Sequence, residues 1–203
     1  MAKQVNTLFW DIGGVLLNNA WDHDERREAL AHFAIDEAEF EPRHQPLVPA
    51  FEEGRLSLDD YLEQTIFYVP RKFTKDDFKQ RMFSLSHALP ESLSLARSLA
   101  ASGKFRMATL NNESRELNAD RIATFGLHEI FGLFLSSCYV GLRKPDAAIY
   151  RLALDVTQKP AEECCFIDDR AANLEAPMRL GMHVIQMQSV GQLQADLAKI
   201  GVA

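Results

Sequence analysis

Three short apolar runs, over Thr7–Trp10, 105–110 and 164–167, lack any polar–apolar alternation and stop abruptly at Asp11, Asn111 and the pair Asp168-Asp169. Such a run is a strand covered on both faces, and strands of that kind pair in parallel beneath layers of helix. Two weaker runs, 131–136 and His183–Gln186, extend the set. Between them the apolar spacing predicts helices over 90–102, 115–125, 147–154, 170–180 (closed by Gly181) and Val190–Lys199. Strand alternating with helix at this interval defines an α/β fold, a Rossmann-like, mostly parallel sheet flanked by helices. The 203 residues allow one sizeable core with a small insert.

The insert is predicted over 17–87. That stretch has no strand pattern and several helix signals: a charged amphipathic segment over 22–33, and Ser57 with Asp60 and Thr74 with Asp77 at capping-box spacing. Residues 1–16 and 88–203 are then the α/β core, with the helical insert following the first strand. No internal repeat or low-complexity segment is present.

Composition removes several function classes. The net charge is −7 and basic residues come at most in pairs, such as Arg26-Arg27 and Arg143-Lys144, so no stripe exists to neutralise a row of phosphates; nucleic acid is not the expected partner. No apolar stretch approaches the roughly 20 residues a membrane helix needs. Residues 1–7 hold no apolar run of the secretion-signal kind. Three cysteines, two of them adjacent, make neither a disulfide framework nor a zinc site. The expectation is a cytoplasmic protein with a small-molecule partner, its oligomeric state open.

In an open α/β sheet, ligands bind beyond the carboxyl ends of the strands. There this chain places Asp11-Ile12-Gly13-Gly14, Asn111-Asn112, Asp168-Asp169 with Asn173 one turn later, and Lys144 within Gly141-Leu142-Arg143-Lys144-Pro145. A parallel sheet brings them to one crevice. Three aspartates around one point repel, and burial raises their pKa values unless a cation neutralises them. Mg²⁺ suits this, since it takes one or two carboxylates, waters and a substrate phosphate. Asp11, Asp168 and Asp169 are the candidate metal ligands. Lys144 is placed to hold aspartate charge and a phosphate oxygen together, Asn111 and Asn112 offer further contacts to phosphate, and Gly13 and Gly14 admit close backbone approach. The set suits in-line displacement at phosphorus with Asp11 as nucleophile and Lys144 and Asn111 assisting. Gly13-Gly14 is not a dinucleotide fingerprint, because no third glycine follows at the required offset.

Four segments carry a family resemblance: Leu8-Phe9-Trp10-Asp11-Ile12-Gly13-Gly14-Val15-Leu16, Thr109-Leu110-Asn111-Asn112, Arg143-Lys144-Pro145 and Phe166-Ile167-Asp168-Asp169-Arg170-x-x-Asn173. In this order they resemble the motifs of the haloacid dehalogenase-like hydrolases, and Phe51-Glu52-Glu53-Gly54-Arg55-Leu56-Ser57 resembles the small helical cap of the phosphatase-like branch. The resemblance implies a Mg²⁺-dependent phosphatase of a small phosphorylated metabolite, with a cap over 17–87. It implies Asp11 as nucleophile, Asn111 and Lys144 on the transferring group, and a metal held by Asp11, the Gly13 carbonyl and Asp168 or Asp169. Two departures stand out. Gly13 replaces the second aspartate that usually serves as acid and base, and Asn111 replaces a Ser or Thr. A 2-haloacid dehalogenase, which also lacks the second aspartate, and a non-catalytic binding protein are the alternatives. Trp10, Trp21 and Phe51 are expected in the core, and His23 and His44 on exposed helix faces.

Overall fold

The structure is a computed structural model, and it describes residues 4–202. Residues 1–3, part of the N-terminal stretch read for a leader, lie outside the described residues. Five strands form one parallel sheet: β1 (Thr7–Trp10), β2 (Arg106–Asn111), β3 (Leu133–Ser136), β4 (Cys164–Asp168) and β5 (His183–Gln186), in the order β3-β2-β1-β4-β5. The expected α/β class is thus the one the chain adopts. β1 lies between β2 and β4, with Trp10 opposite both Thr109 and Ile167. The winding reverses direction at β1, and its carboxyl end is the switch point where a crevice opens.

Alternation explains why the strands are apolar throughout. Leu8 and Trp10 pack on one face of the sheet with Leu93, Leu193 and Leu197, while Phe9 packs on the other with Ile149, Tyr150 and Ala153; all are buried. Adjacent Cys164 and Cys165 point to opposite faces for the same reason, and both are free. The flanking layers are α6 (Pro90–Ala101), α7 (Arg115–Thr124), α9 (Ala147–Thr157), α10 (Glu175–Arg179) and α11 (Val190–Lys199), with a short α8 (Ser137–Val140) after β3.

Between β1 and α6 come α1 (His23–His32), α2 (Glu37–His44), α3 (Val48–Glu52), α4 (Leu58–Thr65) and α5 (Lys75–Ser84). Their starts are capped as the residue types demand. Asp22 accepts from His23 N, Ser57 accepts from Asp60 N at 3.1 Å, and Thr74 with Asp77 completes a reciprocal capping box. Trp21, Phe40, Phe51, Tyr61, Phe78 and Met82 form the block's apolar cluster, which Leu117 of α7 joins from the sheet layer. Gly54 seats it on the sheet layer. Its φ is +69°, and a Cβ there would stand 2.2 Å from the Cys138 carbonyl oxygen, so only glycine permits the contact.

Several elements differ from their sequence reading: β3 starts two residues later than 131, α9 runs three residues beyond 154, and β4 takes in Asp168. β2 runs one residue further than 105–110 allowed, so Asn111 is the last residue of the strand. The helix expected over 170–180 is a 3₁₀ turn, Ala171–Asn173, followed by the short α10. Asp168 causes the break. Its Oδ1 accepts from Arg170 N at 2.8 Å, and Asn173 Nδ2 donates to both of its oxygens at 3.0 Å, drawing the first turn onto the strand end.

Candidate active site

Asp11 directly follows β1, Asn111 ends β2, Ser136 ends β3 and Asp168 ends β4, so parallel register delivers all four to one edge of the sheet. Lys144 arrives from the loop after α8. Its Nζ lies 2.9 Å from Asp11 Oδ2 and 2.6 Å from Asp168 Oδ2, and the three residues are 2%, 7% and 0% exposed. Asn112 accounts for that placement. Its Nδ2 donates to the Lys144 carbonyl and its Oδ1 accepts from Lys144 N, both at 2.9 Å. The side chain expected to hold phosphate thus also holds the lysine's backbone, and it keeps a second amide hydrogen on the wall of the crevice. Asn111 Nδ2 donates to Asn118 at 2.9 Å, and its Oδ1 accepts from Ser136 Oγ at 2.9 Å. A second amide hydrogen of Asn111 remains for the crevice it lines.

Burial raises the pKa of Asp11, the neighbouring Asp168 and Asp169 raise it further, and Lys144 opposes both. Asp169 is likewise raised, first by burial and then by Asp168. Burial works against the Lys144 ammonium, but Asp11 and Asp168 outweigh it and hold its pKa above the ordinary value. Three carboxylates face one ammonium, and the Arg170 guanidinium, which also acts on all three, is already paired with Asp22 at 2.6 Å.

A divalent cation fits that imbalance. Oxygen atoms of Asp11, Asp168 and Asp169 all lie within 4.8 Å of one another, and Asp169 Oδ1 is buried with no hydrogen-bond partner. Gly14 makes room for this carboxylate: its φ is +68°, and a Cβ would stand 2.2 Å from Asp169 Oδ2. Gly14→Ala should therefore displace Asp169 and strain the backbone. We expect a loss of roughly 1–2 kcal/mol of stability, with Mg²⁺ affinity reduced about tenfold or more. Thermal melts in chelator and across a Mg²⁺ titration check this; an unchanged Mg²⁺ midpoint would remove Asp169 from the ligand set.

Above the carboxylates lies a partly open cavity of about 420 Å³, lined on the far side by Trp21, His44, Val48 and Phe51 of the helical block. Trp10, by contrast, is wholly enclosed in the core. Gly13 lies on the cavity wall, and a Cβ added there would meet Asn19 Oδ1 at 3.0 Å. The room a side chain at 13 would use belongs to Asn19, a residue the sequence did not single out. A buried ion pair, Glu113 with Arg121 at 3.1 Å, also borders the cavity and was equally unmarked.

His44 corrects an expectation. His23 is exposed as anticipated, but His44 is 5% exposed, stacked on Phe40, with Nδ1 2.7 Å from the Tyr61 hydroxyl. Burial, and then the Arg26 guanidinium, lower its pKa from 6.5 to about 4; Glu41 and Asp22 pull the other way. A histidine depressed in the fold stabilises it above pH 6.5, and that contribution is lost as pH falls toward 4. The loss is on the order of 2–3 kcal/mol. His44→Gln should lack it, so urea midpoints of wild type and variant should converge or cross between pH 7.5 and 4.5; a constant difference would contradict the assignment.

A family model for haloacid dehalogenase-like hydrolases matches residues 5–181, and the chain belongs to that family. It is 28% identical over 138 residues to bifunctional epoxide hydrolase 2 of Rattus norvegicus, covering 65% of this chain and 24% of that protein. It is 26% identical over 164 residues to flavin mononucleotide hydrolase 1 of Arabidopsis thaliana, covering 80% of this chain and 65% of that one. The chain thus spans a quarter of the first and just under two thirds of the second. Its fold is that of a family enzyme from Bacteroides thetaiotaomicron, with a TM-score of 0.80 at 18% identity over 93% of this chain and 96% of that one. The same enzyme in complex with magnesium and inorganic phosphate gives a TM-score of 0.76 at 18% identity, over 92% and 96% of the two chains. An L-2-haloacid dehalogenase gives 0.65 at 17% identity, over 91% and 84%.

Proposed function

We propose that this hydrolase is a Mg²⁺-dependent phosphatase of a small phosphorylated metabolite, working through a phosphorylated Asp11. The observation that carries the reading is the buried cluster in which one ammonium faces three carboxylates, beneath a cavity sized for a small ligand. Asp11, Asp168 and Asp169 would hold the metal. When bound, Mg²⁺ supplies charge neutralisation for the phosphoryl oxygens and lets an anionic nucleophile meet an anionic substrate. The Gly13 carbonyl is assigned to the same ion through the family motif.

A carboxylate oxygen of Asp11 forms a bond to phosphorus while the ester oxygen departs with the electron pair and takes a proton from water. Lys144 Nζ, already between Asp11 and Asp168, meets the charge that gathers on the transferring group, and the spare Asn111 hydrogen serves a second oxygen. Water then attacks phosphorus, the bond to Asp11 breaks, and phosphate leaves with the carboxylate restored. The helical block over 17–87 acts as the cap, excluding bulk water from the acyl-phosphate.

With glycine at 13, no carboxylic acid stands two residues beyond the nucleophile, and acid–base help of that kind is typically worth about 10²–10⁴ in rate. Leaving groups that depart as stable anions should therefore be favoured. A dehalogenase also dispenses with that acid, but a haloacid carboxylate would approach Asp168 and Asp169, and the partnerless Asp169 oxygen fits a cation rather than an anion. The deciding test is hydrolysis of phenyl phosphate with Mg²⁺ and with chelator, and uptake of beryllofluoride, which needs both an acceptor aspartate and the metal. Halide release from a 2-haloacid that persists in chelator, with no phosphate turnover, would replace this reading.

A further inference from the structure

We infer that His44 is a specificity-determining residue, presenting Nε2–H to the departing part of the substrate, so that the preferred phosphomonoester is one whose alcohol carries an acceptor oxygen such as a hydroxyl or carboxylate. The inference rests on the phosphatase reading and says what lies on the far side of the ester.

The argument starts from hydrogen-bond capacity. Trp21 Nε1 can only donate, and it donates to the Tyr61 hydroxyl at 2.9 Å. The Tyr61 oxygen thus accepts from tryptophan and has one proton of its own to place. His44 Nδ1 lies 2.7 Å away as the acceptor for it. With the hydrogen on Nε2, each donor of the Trp21–Tyr61–His44 chain meets an acceptor, and this is the tautomer the inference assigns. Burial and the adjacent Arg26 keep the ring neutral. His44 lines the cavity, and Nε2 has no protein partner among the described residues. A side chain about nineteen-twentieths buried thus keeps a single donor for whatever enters.

The surroundings hold that donor still. Trp21 packs edge-on against Phe40 and Phe78, Phe40 stacks on the His44 ring, and Phe51 stacks on Tyr61 at 4.1 Å. Arg26, itself buried, donates to the Trp21 carbonyl at 2.9 Å and pairs with Glu41 at 3.0 Å, tying α1 to α2 behind the ring. An alcohol with no acceptor would leave the Nε2–H dry and unpaired, the situation that lets polar sites reject analogues lacking a partner group.

The test compares kcat/KM for glucose 6-phosphate and 3-phosphoglycerate with that for phenyl phosphate, which has no acceptor beyond the ester. In His44→Leu the ratio for the better acceptor-bearing probe should fall about tenfold, one neutral hydrogen bond's worth. His44→Gln, which keeps an N–H donor, should recover most of it. Tyr61→Phe, which retains the stack on Phe51, should give an intermediate fall carried in KM. Imidazole ¹⁵N NMR should show Nε2 protonated and Nδ1 bare in wild type, and a tautomer mixture in Tyr61→Phe; this readout does not depend on activity. If all ratios hold in His44→Leu while Asp11→Asn silences every probe, the specificity inference falls and the phosphatase reading stands. Wild type silent on all three probes with Mg²⁺ would overturn both.

Discussion

Asp11→Asn is expected to reduce Mg²⁺-dependent turnover of phenyl phosphate by at least about 10³-fold, without weakening the fold. The chemical half follows from the role proposed for Asp11. An amide oxygen cannot form the phosphoryl bond, and what remains is binding and electrostatics. The structural half follows from the site's charge. Asp11 is 7% exposed, and its carboxylate is disfavoured by burial and by Asp168 and Asp169. An amide keeps the shape and removes the repulsion from Asp168 and Asp169. Keeping its oxygen on Ile12 N (2.8 Å) sets its NH2 where Oδ2 now meets Lys144 at 2.9 Å, a smaller cost than the repulsion relieved, and Lys144 stays paired with Asp168 at 2.6 Å. Melting in chelator should therefore give a midpoint equal to or above that of wild type, as is common where an active site holds like charges together. Mg²⁺ should raise the variant's midpoint less than the wild type's, because one carboxylate ligand is gone. A variant that melts several degrees lower, or one that still turns over phosphate at a tenth of the wild-type rate, would contradict the assignment of Asp11.

Much of this arrangement was legible in the sequence because it is local. The strands betrayed themselves by unbroken apolar runs, and the residue that ends each run sits at the sheet edge by geometry. Reading Asp11, Asn111, Asp168 and Asp169 as one crevice therefore needed only the assumption that the sheet is parallel. What was hidden depends on partners distant in the chain. That Asn112 also holds the backbone of Lys144, 32 positions on, with one N–H and its oxygen, is not written in either segment. His44 follows Glu41 and Arg43 and reads as a wet helix face; its burial is set by Phe40 and by Tyr61, 17 residues later. Asn19 over Gly13 is a contact no periodicity announces. The shortening of the helix after Asp168 has the same origin. A strand-end carboxylate collects Arg170 N and Asn173 Nδ2, and local helix propensity yields to that demand.

The largest stability effect should come from Lys144→Met. Its ammonium bridges Asp11 and Asp168, 2% exposed and 5.4 Å from the Phe166 ring centre. Removing one partner of a buried pair typically costs about 3–5 kcal/mol, since the carboxylates left behind lose their counter-charge without regaining hydration. In a chain of this size that is a fall of roughly 10 °C in melting midpoint. The variant also tests the metal assignment. With the ammonium gone, three carboxylates face one another, and Mg²⁺ becomes the nearest source of neutralisation. It should therefore restore more of the midpoint in Lys144→Met than it adds to wild type, even though turnover stays low for want of the transition-state charge. Adding Asp11→Asn to Lys144→Met removes one of the stranded carboxylates. The double variant should be more stable in chelator than Lys144→Met alone, with a coupling on the order of 1–3 kcal/mol. Additive losses, or a Lys144→Met midpoint within about 3 °C of wild type, would mean that the buried charges are not energetically joined, and the balance of one ammonium against three carboxylates would cease to be the reason a divalent cation belongs there.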